Sequence, residues 1–229
     1  MYGWRARVGL ILPPDNTVIE PELGQMFPPG VQAFSVRLTT LDREGLVRQA
    51  LELGPPALKM IGIKFIAYCC AASSFFRGAE AERALIKELE QSFEVPATSA
   101  SGAMVWALQR VSARKVALLT PYTASLTSLL VDFLKANSID VVTTQALEIP
   151  TLESNLQPPE VAYRALRRMK AGGAEAILIS STSFRTLEIL EMAEQDLGLP
   201  VISSNRALAW EILGRLGIRT SEEKTGCGR

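Results

Sequence analysis

Residues 66–73 read Ile66-Ala-Tyr-Cys-Cys70-Ala-Ala-Ser73, and residues 177–184 read Ile177-Leu-Ile-Ser-Ser181-Thr-Ser-Phe184, with Cys70 opposite Ser181 at an offset of 111. Each is a short apolar run that gives way to small, hydroxyl-rich residues. Two further pairs flank this one in the same order. Val8-Gly-Leu-Ile-Leu-Pro13 returns as Val116-Ala-Leu-Leu-Thr-Pro121 at an offset of 108. Val95-Pro96 followed by Trp106-Ala-Leu108 returns as Leu199-Pro200 and Trp210-Glu-Ile212 at an offset of 104. Any one strand-loop-helix match is common in α/β proteins, but three in order with small drift point to duplication.

Between these landmarks, apolar runs of strand length alternate with stretches whose apolar residues recur every three or four positions, the rhythm of βαβ units. Strands are predicted over Arg7–Leu12, Gln32–Leu38, Ile61–Tyr68, Lys115–Leu119, Asp140–Leu147, Ala176–Ser180 and Val201–Ser203. Helices are predicted over Glu80–Gln91, Ala103–Arg110, Ala124–Asn137, Glu160–Ala171 and Leu187–Asp196. Two such halves related by a pseudo-twofold axis bring their strand-end loops face to face, and ligands of open α/β sheets bind beyond the carboxyl ends of strands. The loops Cys70–Ser74 and Ser180–Ser183 suit a carboxylate there, through backbone N–H groups and hydroxyls. Helix capping is the commoner use of such Ser and Thr residues, and one loop can serve both ends.

Composition narrows the chemistry. The 229 residues include no His, which removes Ser-His-Asp and Cys-His nucleophile pairs, zinc-binding HExxH helices and histidine proton shuttles. The 24 Lys+Arg balance 24 Asp+Glu, and no run of like charge marks a nucleic-acid or membrane-surface partner. No stretch has the length or apolarity of a membrane span and the start shows no signal-peptide pattern, so a cytoplasmic protein is expected. The three cysteines have neither disulfide-framework nor metal-ligand spacing.

One thiol stands out. Cys70 lies between a strand end and a helix start, where the helix macrodipole is expected to lower its pKa toward neutrality and make it a nucleophile or base. A lone cysteine in an apolar strand is more often inert, and Cys69, one residue earlier, is expected on the opposite face as a structural residue. Cys227, in a Gly-flanked tail, is read as incidental. Arg37, Arg77 and Arg185 could pair with carboxylates, but structural salt bridges are the more common fate of such residues.

The segments Val8–Glu22, Ala67–Gly78, Thr120-Pro-Tyr122, Ser180–Thr186 and the Gly226–Arg229 tail resemble the aspartate/glutamate racemase superfamily, in the branch that holds maleate cis-trans isomerase and arylmalonate decarboxylase. The match runs nearly end to end. It implies an α/β fold of two similar domains, residues 1–100 plus 206–229 and residues 101–205, each with a mainly parallel four-stranded sheet flanked by helices. It places the active site in the cleft between them, with no metal and no organic cofactor. The implied partner is a small carboxylic acid; a homo-oligomer is compatible with the pattern.

In the isomerases of this branch a first-half cysteine adds to the double bond of maleate, and Cys70 occupies that position. The resemblance assigns catalytic roles to Cys70, Ser181 and Tyr122. It assigns carboxylate binding to Asn16, Ala71, Ala72, Ser73, Ser74, Asn155, Thr182 and Ser183, and an apolar pocket to Pro13, Leu38 and Leu41. Such a site must steady charge that moves onto a carboxylate as an enediolate forms, which preorganised N–H and O–H donors do well. Two departures bear on the reaction. Ser181 stands where the isomerases carry a second cysteine, whereas the decarboxylases keep only the second-half cysteine, the mirror of the arrangement here. Ala71 and Ala72 replace hydroxyl residues and leave the loop amides as donors. A maleate isomerase-like reaction is the first reading, one-face decarboxylation of a disubstituted malonate the second, and a non-catalytic small-acid binding protein the third.

Overall fold

The computed structural model describes residues 2–219, so Cys227 and the Gly226–Arg229 tail lie outside the described residues. Two four-stranded parallel sheets carry the chain. The first contains β1 (Ala6–Leu12), β2 (Val31–Arg37), β3 (Phe65–Tyr68) and β4 (Ala97–Ser99) in the order β2-β1-β3-β4. The second contains β5 (Lys115–Thr120), β6 (Asp140–Ala146), β7 (Ala176–Ile179) and β8 (Val201–Ser203) in the order β6-β5-β7-β8.

The repetition reaches single hydrogen bonds. Ile66 N donates to Pro96 O at 3.0 Å and Ile177 N to Pro200 O at 2.8 Å. Glu90 Oε1 accepts from Ala97 N at 3.1 Å, and Glu194 Oε1 from Val201 N at 3.0 Å. Ser99 then caps one helix by accepting from Gly102 N, as Ser203 caps another by accepting from Arg206 N. The matched segments therefore occupy the same places in the two sheets.

Side chains alternate along each strand, and this decides the layering. Val8, Leu10, Phe65, Ala67, Val116, Leu118, Ala176 and Leu178 enter one shared core with α1 (Ile19–Met26), α5 (Ala100–Arg110), α6 (Ala124–Ala136) and α9 (Ser204–Arg215). The opposite faces pack separately. Ile11, Ile66 and Tyr68 meet α2 (Arg43–Leu58) and α4 (Ala79–Phe93), while Ala117, Leu119, Ile177 and Ile179 meet α7 (Pro159–Arg168) and α8 (Leu190–Leu197). Central strands buried on both faces read as continuous apolar runs, whereas β2 and β6, each paired on one side only, alternate buried or half-buried with exposed residues. No described helix is long and apolar enough to cross a membrane.

Several elements differ from the sequence reading for local reasons. β3 begins at Phe65, because Ile61 closes a 3-10 turn and Gly62 follows at φ 65°, which breaks the extended run. β4 reads only Ala-Thr-Ser and was not predicted. α1 contains Pro21 and Gly24, and α2 contains Gly54, Pro55 and Pro56, all of which hide a helical signal. α9 is buried on nearly all sides, so its apolar residues leave no clear stripe.

Candidate active site

The chain runs parallel in both sheets, so the loops after β1, β3, β5 and β7 emerge at the carboxyl ends of the four central strands. In each sheet this is the point where the strand order reverses, the place where such folds bind ligands. All four loops line one cavity of about 400 Å³: Pro13 and Asp15 after β1, Cys70–Ala72 after β3, Pro121–Thr123 after β5, and Ser181–Ser183 after β7.

Cys70 sits at the start of α3 (Ala71–Phe75), and Cys69 packs into the shared core with its Sγ 3.4 Å from Ala67 O. The neighbouring thiols thus face opposite sides of the β3 extension, as strand geometry requires. Both are free. The expected lowering of the Cys70 pKa does not occur: burial pushes the thiol up, partly offset by hydrogen bonds from Ser73. α3 has only five residues, and its weak dipole is outweighed by loss of water around the sulfur. Arg43 favours the thiolate and Asp15 opposes it.

Tyr122 places its Oη 3.4 Å from Ser180 Oγ. Burial raises its pKa, as does the Cys70 sulfur, so the phenol keeps its proton and is a hydrogen-bond donor at neutral pH. Ser181 N donates to Ser204 Oγ at 3.0 Å, and Ser181 Oγ accepts from Ser183 N at 3.2 Å. These bonds fix the loop after β7, whose Ser181, Thr182 and Ser183 line the same cavity as Cys70, Ala71 and Ala72.

Of the residues expected at the site, Pro13, Leu41, Cys70, Ala71, Ala72, Tyr122, Ser181, Thr182 and Ser183 line the cavity. Leu38 does not: it is turned into the core beside Ile11 and Leu46. Ser73 and Ser74 are also turned away. The α3 turn brings Ser73 Oγ to Tyr68 Oη at 2.5 Å and lets Ser74 Oγ donate to Ala71 O at 2.8 Å and accept from Ser101 Oγ at 2.7 Å.

Asn16 is fully buried behind the cavity wall. Its Oδ1 accepts from Val18 N and Ile19 N at the start of α1, while Nδ2 donates to Thr182 Oγ1 at 3.0 Å. Thr182 Oγ1 passes the chain on to Cys69 O at 2.9 Å. Asn155 likewise turns to the protein, donating from Nδ2 to Asp15 O at 2.7 Å. Arg37, Arg77 and Arg185 are ion-paired with Glu20, Glu44 and Glu188, as structural arginines would be.

The structure adds residues that the sequence reading missed. Arg43, Leu46, Leu126, Glu148, Ile149 and Ser154 all line the cavity. One local signal was available for Arg43: Asp42 caps α2 by accepting from Gly45 N at 2.7 Å, which fixes Arg43 as the first helical residue. Glu148 has φ 52°, an uncommon conformation for a side-chain-bearing residue, and accepts from Ala124 N at the start of α6. Among the described residues no three Cys, Asp or Glu side chains converge as metal ligands do.

The relatives share this arrangement of the chain. A maleate isomerase from Nocardia farcinica is 28% identical over 232 residues, covering 93% of this chain and 90% of that protein. The structure of a maleate isomerase variant from Pseudomonas putida S16, solved with maleate, superposes with a TM-score of 0.88 at 25% identity, over 94% of this chain and 93% of that one. A liganded arylmalonate decarboxylase double variant, with one glycine replaced by cysteine and one cysteine by serine, gives a TM-score of 0.84 at 25% identity and 93% coverage of both chains. The arylmalonate decarboxylase family model matches residues 8–229, from the first residues of β1 to the chain end, and so spans both repeats and every loop of the cavity. With both sheets and all four loops inside that match, the chain belongs to the arylmalonate decarboxylase family.

Proposed function

We propose that the protein is a cofactor-independent isomerase of a small cis-enedioate, resembling the maleate isomerases, with Cys70 as nucleophile. The observation that carries this reading is the convergence of the four strand-end loops on the one cavity that Cys70 lines. The Cys70 thiolate adds to one olefinic carbon, and the π pair moves onto the carboxylate of the other carbon as an enediolate. The bond between the two carbons is then single and turns. The pair returns, the S–C bond breaks, and the trans diacid leaves with the thiolate regenerated.

The chain's own groups fit these demands. Charge that grows on the carboxylate meets the Tyr122 hydroxyl, the amides at the start of α3 and the Thr182-Ser183 loop, donors already fixed by the fold. Asn16 acts by holding Thr182 in place. Ser181 offers a hydroxyl where a second thiol would serve as acid, which suits a route that needs no strong proton donor.

A second reading is favoured by the single thiol itself. A first-half cysteine facing a second-half serine is also the exchange carried by the solved decarboxylase variant, and Leu41, Leu46 and Leu126 give the cavity an apolar wall. There Cys70 would protonate the enediolate left by loss of CO2 from a disubstituted malonate. Incubation with maleate and, separately, with an arylmalonate decides between them. Fumarate without CO2 supports isomerisation; CO2 with an optically active monoacid supports decarboxylation. Binding of both acids with conversion of neither overturns both in favour of a binding protein.

A further inference from the structure

The loop after β7 is held by the first residues of α9. Ser204 Oγ accepts from Ser181 N at 3.0 Å, and Asn205 Nδ2 donates to Thr182 O at 3.2 Å. The second N–H of that amide goes to Glu22 Oε2 on α1, at 2.7 Å, while Glu22 Oε1 accepts from Thr186 N and Leu187 N at 2.8 and 3.0 Å. Both partners of the Asn205 side chain are acceptors, so its nitrogen has to face them, and its buried Oδ1 has no partner among the described residues. The side chain is committed to giving two hydrogen bonds even though an orphaned buried acceptor costs stability.

A trans peptide is planar, with its C=O and N–H on opposite edges. By fixing Thr182 O, Asn205 therefore also aims the N–H of Ser183, which donates to Ser181 Oγ at 3.2 Å. Contacts thus run without a break from the buried Glu22 carboxylate to the Ser181 hydroxyl, on a residue that lines the cavity with Cys70. The first repeat secures the matching carbonyl by different chemistry. Ala71 follows Cys70 as Thr182 follows Ser181, and Ala71 O accepts from Ser74 Oγ at 2.8 Å, which in turn accepts from Ser101 Oγ at 2.7 Å. Ser101 and Asn205 hold equivalent places in the repeats, since 205 − 101 = 104. Helix capping does not account for either residue, because Ser99 and Ser203 already cap α5 and α9.

We propose that Asn205, oriented by Glu22, is a positioning residue that sets the plane of the Thr182-Ser183 peptide and, through it, the place of the Ser181 hydroxyl in the cavity. This rests on the reading of the cavity as a site for small dicarboxylates, so the test pairs turnover with a measurement on ligand-free protein. The informative variant combines Glu22→Gln with Asn205→Asp. The new amide at position 22 donates to the new carboxylate at position 205 and still accepts from Thr186 N and Leu187 N. The tie between α1 and α9 is rebuilt with its direction reversed, but residue 205 no longer donates to Thr182 O.

Amide hydrogen exchange, read by NMR, separates local loosening from global unfolding. In the double variant the Ser183 amide should exchange about tenfold faster, the scale of one lost hydrogen bond, while Thr186 and Leu187 stay within about threefold of wild type. kcat/KM should fall about tenfold for whichever of maleate or an arylmalonate the wild type converts. Asn205→Ala, which removes the donor without adding a charge, should show the same Ser183 and turnover changes and replaces the double variant if that does not fold. Unchanged Ser183 exchange, or equal acceleration of Ser183 and the core amides, overturns the proposal, as does wild-type kcat/KM in a variant whose Ser183 amide is loosened. If the wild type converts neither acid, the catalytic readings fall, and Ser183 exchange alone decides whether Asn205 positions the loop.

Discussion

Asn16 donates from Nδ2 to Oγ1 of Thr182, 166 positions along the chain, at 3.0 Å, and both residues are buried. This bond joins the loop after β1 to the loop after β7. The same threonine donates onward to Cys69 O, next to Cys70. Cavity loops of the two repeats are thus held against each other by a buried side chain behind the wall, Asn16, and one in the wall, Thr182. Glu22 reinforces the joint from α1, accepting from Thr186 N, Leu187 N and Asn205 Nδ2.

Removing this link should act on position before it acts on stability. Asn16→Ala loses the acceptor for Val18 N and Ile19 N as well as the bond to Thr182, and is expected to cost about 1–3 kcal/mol in urea denaturation. Asn16→Asp keeps the acceptor for Val18 N and Ile19 N but loses the donor and buries an ionisable group, so it too should lose stability. It should also raise KM, because Thr182 keeps its bond to Cys69 O but loses its tie to the loop after β1.

Cys70→Ala should abolish turnover, whereas Cys69→Ala should retain it, with a stability loss of about 1 kcal/mol from the core. Cys227→Ala should retain it as well. Activity in Cys70→Ala, assayed with maleate and with an arylmalonate, would sink both mechanisms.

The pH profile follows from the buried thiol. Burial raises the Cys70 pKa, and the thiolate is the attacking form, so the thiolate fraction rises with pH through that raised value. Iodoacetamide alkylation of Cys70 in ligand-free protein should be slower than that of free cysteine at pH 7 and should climb to a midpoint above the free-thiol value. A midpoint below it would show that helix and Arg43 outweigh burial.

Tyr122→Phe removes one hydroxyl donor and should lower kcat by about 100-fold, the scale seen for a single donor to a developing oxyanion. Circular dichroism and melting temperature should change little, since among the described residues Tyr122 Oη meets only the hydroxyls of Ser180, at 3.4 Å, and Ser181.

Glu22 supplies a stability test. Burial raises its pKa above the ordinary 4.5, although its three donors oppose the rise. The folded state therefore binds more protons than the unfolded one between 4.5 and the raised value, and stability is lost as pH climbs through that window. Glu22→Gln removes the titration. The melting temperature of wild type relative to this variant should fall as pH rises from 4.5 to 7; a constant difference would exclude the linkage.

The sequence by itself determined the duplicated α/β architecture, the strand-end loops and the choice of Cys70 over Cys69. All of these rest on local pattern: apolar runs of strand length, alternation across a strand, and repeated small-residue loops. It could not settle which side chains face the cavity. Ser73 and Ser74 turn away because a five-residue helix rotates them into the protein, and Asn16 is consumed by Thr182 from the other repeat. Arg43 and Ser154 become cavity residues only because α2 and the 151–156 turn meet there from distant parts of the chain. Even the direction of the Cys70 pKa was a tertiary matter. The helix start is a local feature that lowers it, whereas the burial that raises it is assembled by residues from both repeats.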